Sequence, residues 1–315
     1  MSPVDWNRLG QDLARVLGQD AVVRERLIGP ETTYRVGGAA RVGVTLATDA
    51  DMAALAEVVA ASCADVLVVG KGSNMLVADT GFDGIAVWLA PGYDWMEIDG
   101  LQVRAGAGAS LPVLARQSAA AGLTGFEWAV GVPGSLGGAV RMNAGGHGSD
   151  MAASLIHAEV VDLRAGAVQS WNRPKLKLGY RSSALADHYL VLGAELGLAD
   201  GDAEESQALI ADIVAWRREN QPGGQNAGSV FTNPDGDSAG QIIDAAGLKG
   251  LRLGTASVSD KHANFFIADR GGSADDLHDL MGEVFTRVLA EFGIALVPET
   301  RLVGFEAGPW TERGG

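Results

Sequence analysis

A single cysteine in 315 residues, Cys63, excludes an intramolecular disulfide and a cysteine-based zinc site. It fits a reducing compartment. Basic side chains are also scarce, with 24 Lys and Arg against 39 Asp and Glu, and the formal charge of −15 opposes general attraction to nucleic acid or to anionic membranes. No nucleic-acid partner is expected, and any anionic ligand must be held by local groups. Long apolar runs are missing too. Gly, Asp or Arg interrupts each well before the ~20 residues of a membrane-spanning helix, so no membrane insertion is expected. The opening MSPVDWNRLGQDLARVLG lacks the basic-then-apolar order of a signal peptide and sets Leu9, Leu13, Val16 and Leu17 at helical spacing. The expected location is the cytoplasm. Nothing in the sequence speaks to oligomeric state.

Glycine is plentiful, at 44 residues, and falls in short stretches between apolar runs, which predicts many tight turns. With 47% hydrophobic content the length allows two or three domains. Strands are predicted at 66–69, 85–90, 101–106, 158–163 and 189–196. Helices are predicted at about 50–62 and 110–121, the second capped by Ser110. Cys63 follows Val58 and Val59 in the first of these helices, and a buried thiol is expected. The pattern is α+β. A helix carrying Leu209, Ile210, Ile213 and Val214 then ends at QPGGQNAG, which places the main domain boundary near 202. Ser273 and Asp276 form a variant of the capping box before a stripe of Leu277, Leu280, Met281, Val284, Phe285, Val288, Leu289 and Phe292, expected to be core. IALVPETRLVGF reads as a strand, Pro298, and a returning strand.

Three stretches could carry chemistry. The strand before Gly70 runs into Gly70, Lys71, Gly72, Ser73, Asn74 and Met75, whose backbone N–H groups could cradle a pyrophosphate. It is not a dinucleotide fingerprint, because Met75 takes the place of the third glycine, and no G-K-[ST] makes it a P-loop. The alternative is an ordinary tight turn. The second stretch runs from Gly131 through Pro133, Gly134, Ser135, Gly138, Asn143, Ala144 and Gly145, and combines glycine with apolar residues as backbone packed against a large flat ligand would. A close helix–sheet crossing would look the same. The third stretch, 226–234, contains Ser229 outside any nucleophile elbow and with no histidine nearby in sequence, which leaves a positioned proton donor rather than a triad nucleophile.

Eight motifs in order, TTYRVGGAA (32–40), VVGKGSNMLV (68–77), GVPGSLGGAVRMNAGGHG (131–148), GYRSS (179–183), AGSVFTNP (227–234), AGLKG (246–250), SDKHANF (259–265) and PETR (298–301), give the chain a resemblance to the UDP-N-acetylenolpyruvoylglucosamine reductase (MurB) family. The resemblance implies an FAD-binding fold of the vanillyl-alcohol-oxidase (PCMH-type) kind in two subdomains, plus a C-terminal α+β substrate-binding domain. The corresponding boundaries are 1–85 with the tail 299–315 packing back, 86–201, and 202–298. It implies bound FAD, held by the first two glycine stretches, and NADPH as co-substrate. The substrate would be a small-molecule sugar nucleotide, UDP-N-acetylglucosamine enolpyruvate, reduced to UDP-N-acetylmuramate for peptidoglycan precursor synthesis, a step of cell-wall growth, shape and division. The family's catalytic residues fall on Ser229 as proton donor to C2, and on Arg181 and Glu299, the latter as its neutral acid, as stabilisers of the charge that develops after hydride reaches C3. Substrate-binding positions fall on Tyr180, Asn233, Gln241, Lys249, Lys261, His262 and Asn264. Thr232 stands where many relatives have lysine, so Lys249, Lys261 or Arg301 would supply the positive charge. The short segment between Arg181 and 189 matches the family branch without a lid insertion.

Two other readings keep part of this pattern. A different flavin-dependent oxidase or dehydrogenase on the same fold would keep both glycine stretches but not AGSVFTNP or PETR, and an oxidase would consume O₂. A catalytically silent nucleotide-sugar-binding relative would not need Ser229, Arg181 and Glu299 together.

Overall fold

The computed structural model describes residues 4–308 and 310. By packing, the chain divides into two units, each assembled from separate stretches. The first holds Met1–Glu25, Arg41–Lys71 and Gly84–Arg217, and the second holds Arg26–Ala40, Gly72–Asp83 and Arg218–Gly315. The late division therefore falls at Arg217, inside the helix Ala203–Asn220 and near its C-terminal end, and two short early stretches belong with the C-terminal third.

The first unit contains two α+β layers. The helix Trp6–Leu17 starts where the Asp5 carboxylate accepts the Asn7 and Arg8 N–H groups, and stops at Gly18. A capping box of Thr48 and Asp51 starts the helix Asp49–Ser62. These helices bury Leu9, Leu13, Met52, Leu55 and Val59 against Val42, Val44, Leu46, Val66, Ile85 and Val87 of a sheet ordered Val22–Leu27, Ala39–Leu46, Phe82–Leu89, Val66–Val68. The second layer is a five-stranded antiparallel sheet ordered Ala167–Asn172, Leu155–Asp162, Tyr189–Gly197, Gln102–Gly106, Met96–Asp99. Its apolar face carries Val103, Ala105, Val160, Val191 and Leu196, covered by Leu111 and Leu114 of helix Leu111–Ala120, Leu136 and Val140 of helix Leu136–Met142, and Ile210 and Ile213 of helix Ala203–Asn220.

The second unit is built on the helix Ala274–Phe292. The Ser273 hydroxyl accepts the Asp276 N–H, and Leu277, Leu280, Met281, Val284, Phe285 and Val288 face its core. A three-stranded antiparallel sheet, Arg252–Leu253, Ala256–Val258 and Phe266–Ala268, packs on that helix. Arg301–Val303 pairs in parallel with Met75–Val77, which ties the end of the chain to an early stretch. Of the tail 299–315, residues 309 and 311–315 lie outside the described residues, as do residues 1–3. No helix among the described residues is long and apolar enough to cross a membrane.

Several local expectations are corrected. Cys63 is exposed, not buried, because the helix ends at Ser62 and Cys63 takes the left-handed cap position at φ 54°. Leu209 and Val214 are exposed, so only Ile210 and Ile213 of that stripe reach the core. Leu289 and Phe292 are exposed as well, so the buried stripe of that helix ends at Val288. Ser110 occupies the predicted cap position, but its hydroxyl makes no cap bond. Asp276 does not close a capping box. Its carboxylate accepts the Thr255 N–H at 2.7 Å and hydroxyl at 2.6 Å instead. The stretch 294–297 forms no strand, and only Pro298 bridges to Phe231 before Arg301–Val303 begins.

Candidate active site

A cavity of about 300 Å³ opens in the first unit, lined by the strand end Val68–Val69, Gly70, Lys71, Trp88, Asp94, Gly108, Ser135, Gly137, Gly138, Arg141 and Tyr189 among others. It exists because side chains are missing where strand ends and the helix Leu136–Met142 approach. A Cβ on Gly70 would stand 2.7 Å from the Ser135 hydroxyl, one on Gly108 2.2 Å from Asp94 Oδ1, and one on Gly137 2.9 Å from the Ala107 Cβ. Real Cβ atoms do not approach that closely, so glycine at these positions lets Ser135, Asp94 and Ala107 pack directly against the backbone of the cavity wall. Valine, leucine and aromatic walls with a few polar groups suit a large planar ligand with a phosphate-bearing tail.

Of the expected cofactor residues, Gly70, Lys71, Ser135 and Gly138 line this cavity. Gly131, Pro133, Gly134, Asn143, Ala144 and Gly145 do not. Gly134 instead accepts the Leu111 N–H at 3.1 Å, and Ala144 accepts the Met151 N–H at 2.9 Å. The turn at 70–75 is divided, with Gly72 to Met75 belonging to the second unit. There Gly72, at φ +60°, packs its α-carbon so tightly on Thr32 that a Cβ would sit 2.6 Å from the Thr32 Cα. Met75 is buried in the strand beside Arg301. Trp88, Asp94, Arg141 and Tyr189 are cavity residues that sequence reading missed. Trp88 and Tyr189 lie on strands whose inward and outward faces alternate, and a fully apolar strand does not say which face meets a ligand.

Arg181 also lies in the first unit. Gly179 and Ser182 exchange N–H···O bonds of 3.0 and 3.2 Å across the two-residue turn Tyr180–Arg181. Arg181 adopts φ 52°, the left-handed region, at a cost of roughly 1–2 kcal/mol for a residue with a Cβ. Its Nη2 donates to the Gly145 carbonyl at 2.8 Å, and its guanidinium lies 5.1 Å from the ring centroid of the exposed Tyr180. Backbone strain of this kind persists only where neighbours over-determine it, and it collects at functional sites.

In the second unit the segment after Gly228 is clamped from both sides. Val230 N–H donates to the Asn264 carbonyl at 2.9 Å, and the Val230 carbonyl accepts the Glu299 N–H at 2.7 Å and the Thr300 N–H at 3.2 Å. Phe231 N–H donates to Asn264 Oδ1 at 3.0 Å, and Asn264 Nδ2 donates back to the Phe231 carbonyl at 2.8 Å. Asn74 Nδ2 holds the Glu299 carbonyl at 3.0 Å. Ser229 and Glu299 therefore flank the same residue, Val230, on paired backbone. Pro298 and Thr300 are buried, and Glu299 between them is half-buried.

The remaining expected residues are spread around this clamp. Asn233 Oδ1 accepts the Ala239 N–H at 3.1 Å and so caps the short helix Ala239–Ala245, which carries the exposed Gln241. The His262 ring lies tilted against Phe265, centroids 4.8 Å apart, and its Nδ1 accepts the Asn264 N–H at 3.2 Å; burial, then the charge of Lys249, holds its pKa below the ordinary histidine value. Lys249 is exposed and paired with Asp244 at 2.5 Å, while Lys261 Nζ donates to the Arg218 carbonyl at 2.8 Å. Thr232 turns back on its own ladder, its hydroxyl donating to the Val297 carbonyl at 3.2 Å. No cluster of three or more metal-ligating side chains occurs among the described residues.

A glycine-lined cavity between strand ends of an α+β unit, followed by a separate α+β unit presenting Ser229 and Glu299, is the plan of an FAD-binding flavoprotein with an added domain. A model described as an FAD binding domain matches residues 40–171, and one described as the C-terminal domain of UDP-N-acetylenolpyruvoylglucosamine reductase matches 220–303. A UDP-N-acetylenolpyruvoylglucosamine reductase of Rubrobacter xylanophilus is 40% identical over 87% of this chain and 92% of its own length. One of Paramagnetospirillum magneticum is 40% identical over 95% and 96% respectively. The crystal structure of UDP-N-acetylenolpyruvylglucosamine reductase from Thermus caldophilus superposes with a TM-score of 0.78 at 35% identity, covering 90% of this chain and 98% of that one. The chain belongs to the UDP-N-acetylenolpyruvoylglucosamine reductase family.

Proposed function

We propose that the chain reduces UDP-N-acetylglucosamine enolpyruvate to UDP-N-acetylmuramate in the cytoplasm, with NADPH as reductant and FAD as bound carrier. The observation that supports this most is the placement of Ser229 and Glu299 on backbone that meets at Val230, within family motifs that an unrelated flavoenzyme would have no reason to keep. The first unit's cavity suits FAD, since Gly70, Gly108, Gly137 and Gly138 give it a wall of close-packed backbone with no side chains of their own, and Lys71 and Ser135 offer polar groups at that wall. FAD, when bound, supplies a two-electron carrier between NADPH and the enolpyruvyl C3. The three proposed domain roles follow from the same reading, with sugar-nucleotide binding assigned to the C-terminal segment.

The protein's share of the chemistry is electrostatic and protic. As a hydride reaches C3, negative charge accumulates on C2 and its carboxylate. Arg181 and the Glu299 carboxyl stabilise that charge, and groups fixed in advance are worth most there because they need no rearrangement at the moment of reaction. The Ser229 hydroxyl delivers a proton to C2, so one hydride and one proton are added across the double bond and NADP⁺ is released. Thr232, bonded to Val297, supplies no positive charge, and we assign the anionic part of the substrate to Lys249, Lys261 and Arg301.

Anaerobic stopped-flow absorbance tests the reading. The purified yellow protein is expected to bleach with NADPH and to regain colour on addition of the enolpyruvyl sugar nucleotide but not of the lactyl product. Rapid recolouring by O₂ with no response to the sugar nucleotide would replace this function with an oxidase.

A further inference from the structure

One buried side chain holds the Tyr180–Arg181 turn to the glycine-rich loop. Asn143 is 2% exposed. Its Nδ2 donates to the Gly179 carbonyl at 2.9 Å and to Asp150 Oδ2 at 3.0 Å, and its Oδ1 accepts the Ala152 N–H at 2.9 Å. Both amide protons are engaged within the protein, so this side chain has no donor left for a cofactor, contrary to the role the family resemblance implies. Asn143 itself sits at φ 41°, a conformation asparagine tolerates better than most residues.

The geometry points to Asn143 as a positioning residue for Arg181. Its amide anchors the base of the turn through Gly179, while the Arg181 guanidinium anchors the tip through Gly145. Gly145 is fixed in turn by pairing with Asp150, where a Cβ would lie 2.6 Å from the Asp150 Cβ, and Asp150 is the second acceptor of Asn143. The loop thus determines where the guanidinium stands, against Arg181's own backbone preference, since an arginine at φ 52° relaxes to negative φ when its ties are cut. This inference rests on the reading of Arg181 as a stabiliser of charge on the substrate.

The test uses the full-length holoenzyme as Asn143→Ala, Asn143→Asp, Arg181→Ala and the double variant Asn143→Ala/Arg181→Ala. Asn143→Asp keeps the acceptor for Ala152 but sets a carboxylate against Asp150 and the Gly179 carbonyl, so it repels what the amide holds, and thermal unfolding of each variant separates loss of the anchor from loss of the fold. Both Asn143 variants are expected to retain flavin and to slow reoxidation by the enolpyruvyl substrate about 10- to 100-fold, the scale of a displaced catalytic group. Asn143→Ala should add nothing once Arg181 is already alanine. Multiplicative losses in the double variant, or loss of flavin from both Asn143 variants, would overturn the inference. Amide hydrogen exchange at 179–183 decides it without any substrate. Faster exchange in both Asn143 variants supports the anchor, and exchange equal to wild type refutes it. If the wild-type enzyme is not reoxidised by this substrate, the proposed function fails and the exchange measurement still decides the anchor.

Discussion

The two units hold their proposed catalytic groups in opposite ways. In the second, Ser229 and Glu299 ride on main chain paired on both sides, with Val230 bonded to Asn264, Glu299 and Thr300 and Thr232 bonded to Val297. In the first, Arg181 sits in an unfavourable left-handed turn fixed by particular side chains, Asn143 at its base and its own guanidinium at its tip. A main-chain ladder forms with almost any side chains, whereas a side-chain anchor depends on one residue type. Substitutions around Ser229 should therefore act either on chemistry or on stability, and those around Arg181 on placement.

The largest effect expected from this contrast is at Ser229 itself. Its backbone is secured by neighbours rather than by its own hydroxyl, so Ser229→Ala should fold, keep flavin and be reduced by NADPH at the normal rate. Reoxidation by the enolpyruvyl substrate should fall about 10²- to 10⁴-fold, as for loss of a general acid. Stopped-flow absorbance of each half-reaction makes the comparison. Near wild-type reoxidation would remove Ser229 from proton delivery.

Asn264 lies one step behind. Its carboxamide pairs with both the N–H and the C=O of the buried Phe231, so Asn264→Ala removes the partner of two buried backbone groups at about 1–3 kcal/mol each, or roughly 2–6 kcal/mol together. Urea unfolding should show this loss, along with slower reoxidation. A stable variant whose substrate affinity alone is lost would restore Asn264 as a substrate ligand and break the contrast between the units.

Asn143 and Asn264 also show where sequence reading stops. Both stand inside diagnostic motifs, and a motif residue is equally explained by touching a ligand or by holding the backbone that does. Only the three-dimensional partners, residues 36 positions away for Asn143 and 33 for Asn264, separate the two. The elements themselves were legible from short-range signals, the spacing of Leu9 and Leu13 in Trp6–Leu17 and the apolar stripe of Ala274–Phe292, while the Thr48–Asp51 box and the Asp5 cap emerged with the structure. What was not legible is long-range. Nothing local in 75–77 announces that it pairs with 301–303. The cavity was half legible. Gly70, Ser135 and Gly138 were expected from composition, whereas Trp88 and Tyr189 required knowing which strand face looks inward.

Glycine substitutions sharpen the contrast further. Gly72→Val would destabilise the second unit whatever it binds, since φ is +60° and Thr32 is too close, so loss of flavin from that variant says little. Gly138 is the discriminating position. A Cβ there meets only the Ser135 hydroxyl at an ordinary 3.5 Å, and the residue lies inside the helix Leu136–Met142 on the cavity wall. Gly138→Ala should raise apoprotein stability by about 0.5–1 kcal/mol through backbone entropy. It should also weaken FAD binding about tenfold, or ~1.4 kcal/mol, by filling the cavity. Thermal unfolding of apoprotein and titration with FAD measure the two separately, and unchanged affinity would move the flavin away from this wall.

The smallest expected effect is a pH dependence that both units share for different reasons. His147, in the first unit, packs edge-on against Trp216 at 5.2 Å, and burial followed by the charge of Arg217 lowers its pKa. In the second unit, burial followed by the charge of Lys249 lowers that of His262, whose Nδ1 must stay unprotonated to accept the Asn264 N–H. A histidine with a folded pKa below its unfolded value of 6.5 binds more protons when unfolded. Its contribution to stability is therefore complete above pH 6.5 and declines as pH falls through the interval down to the folded pKa. Urea midpoints between pH 5 and 8 should fall on the acid side of 6.5, and His262→Gln and His147→Gln should each flatten part of that slope. Protonated His262 also withdraws a support from Asn264, so acid should slow wild-type reoxidation by the substrate more than it slows His262→Gln, with no such difference for His147→Gln. A stability slope that both variants leave intact would show that neither ring senses pH in this range.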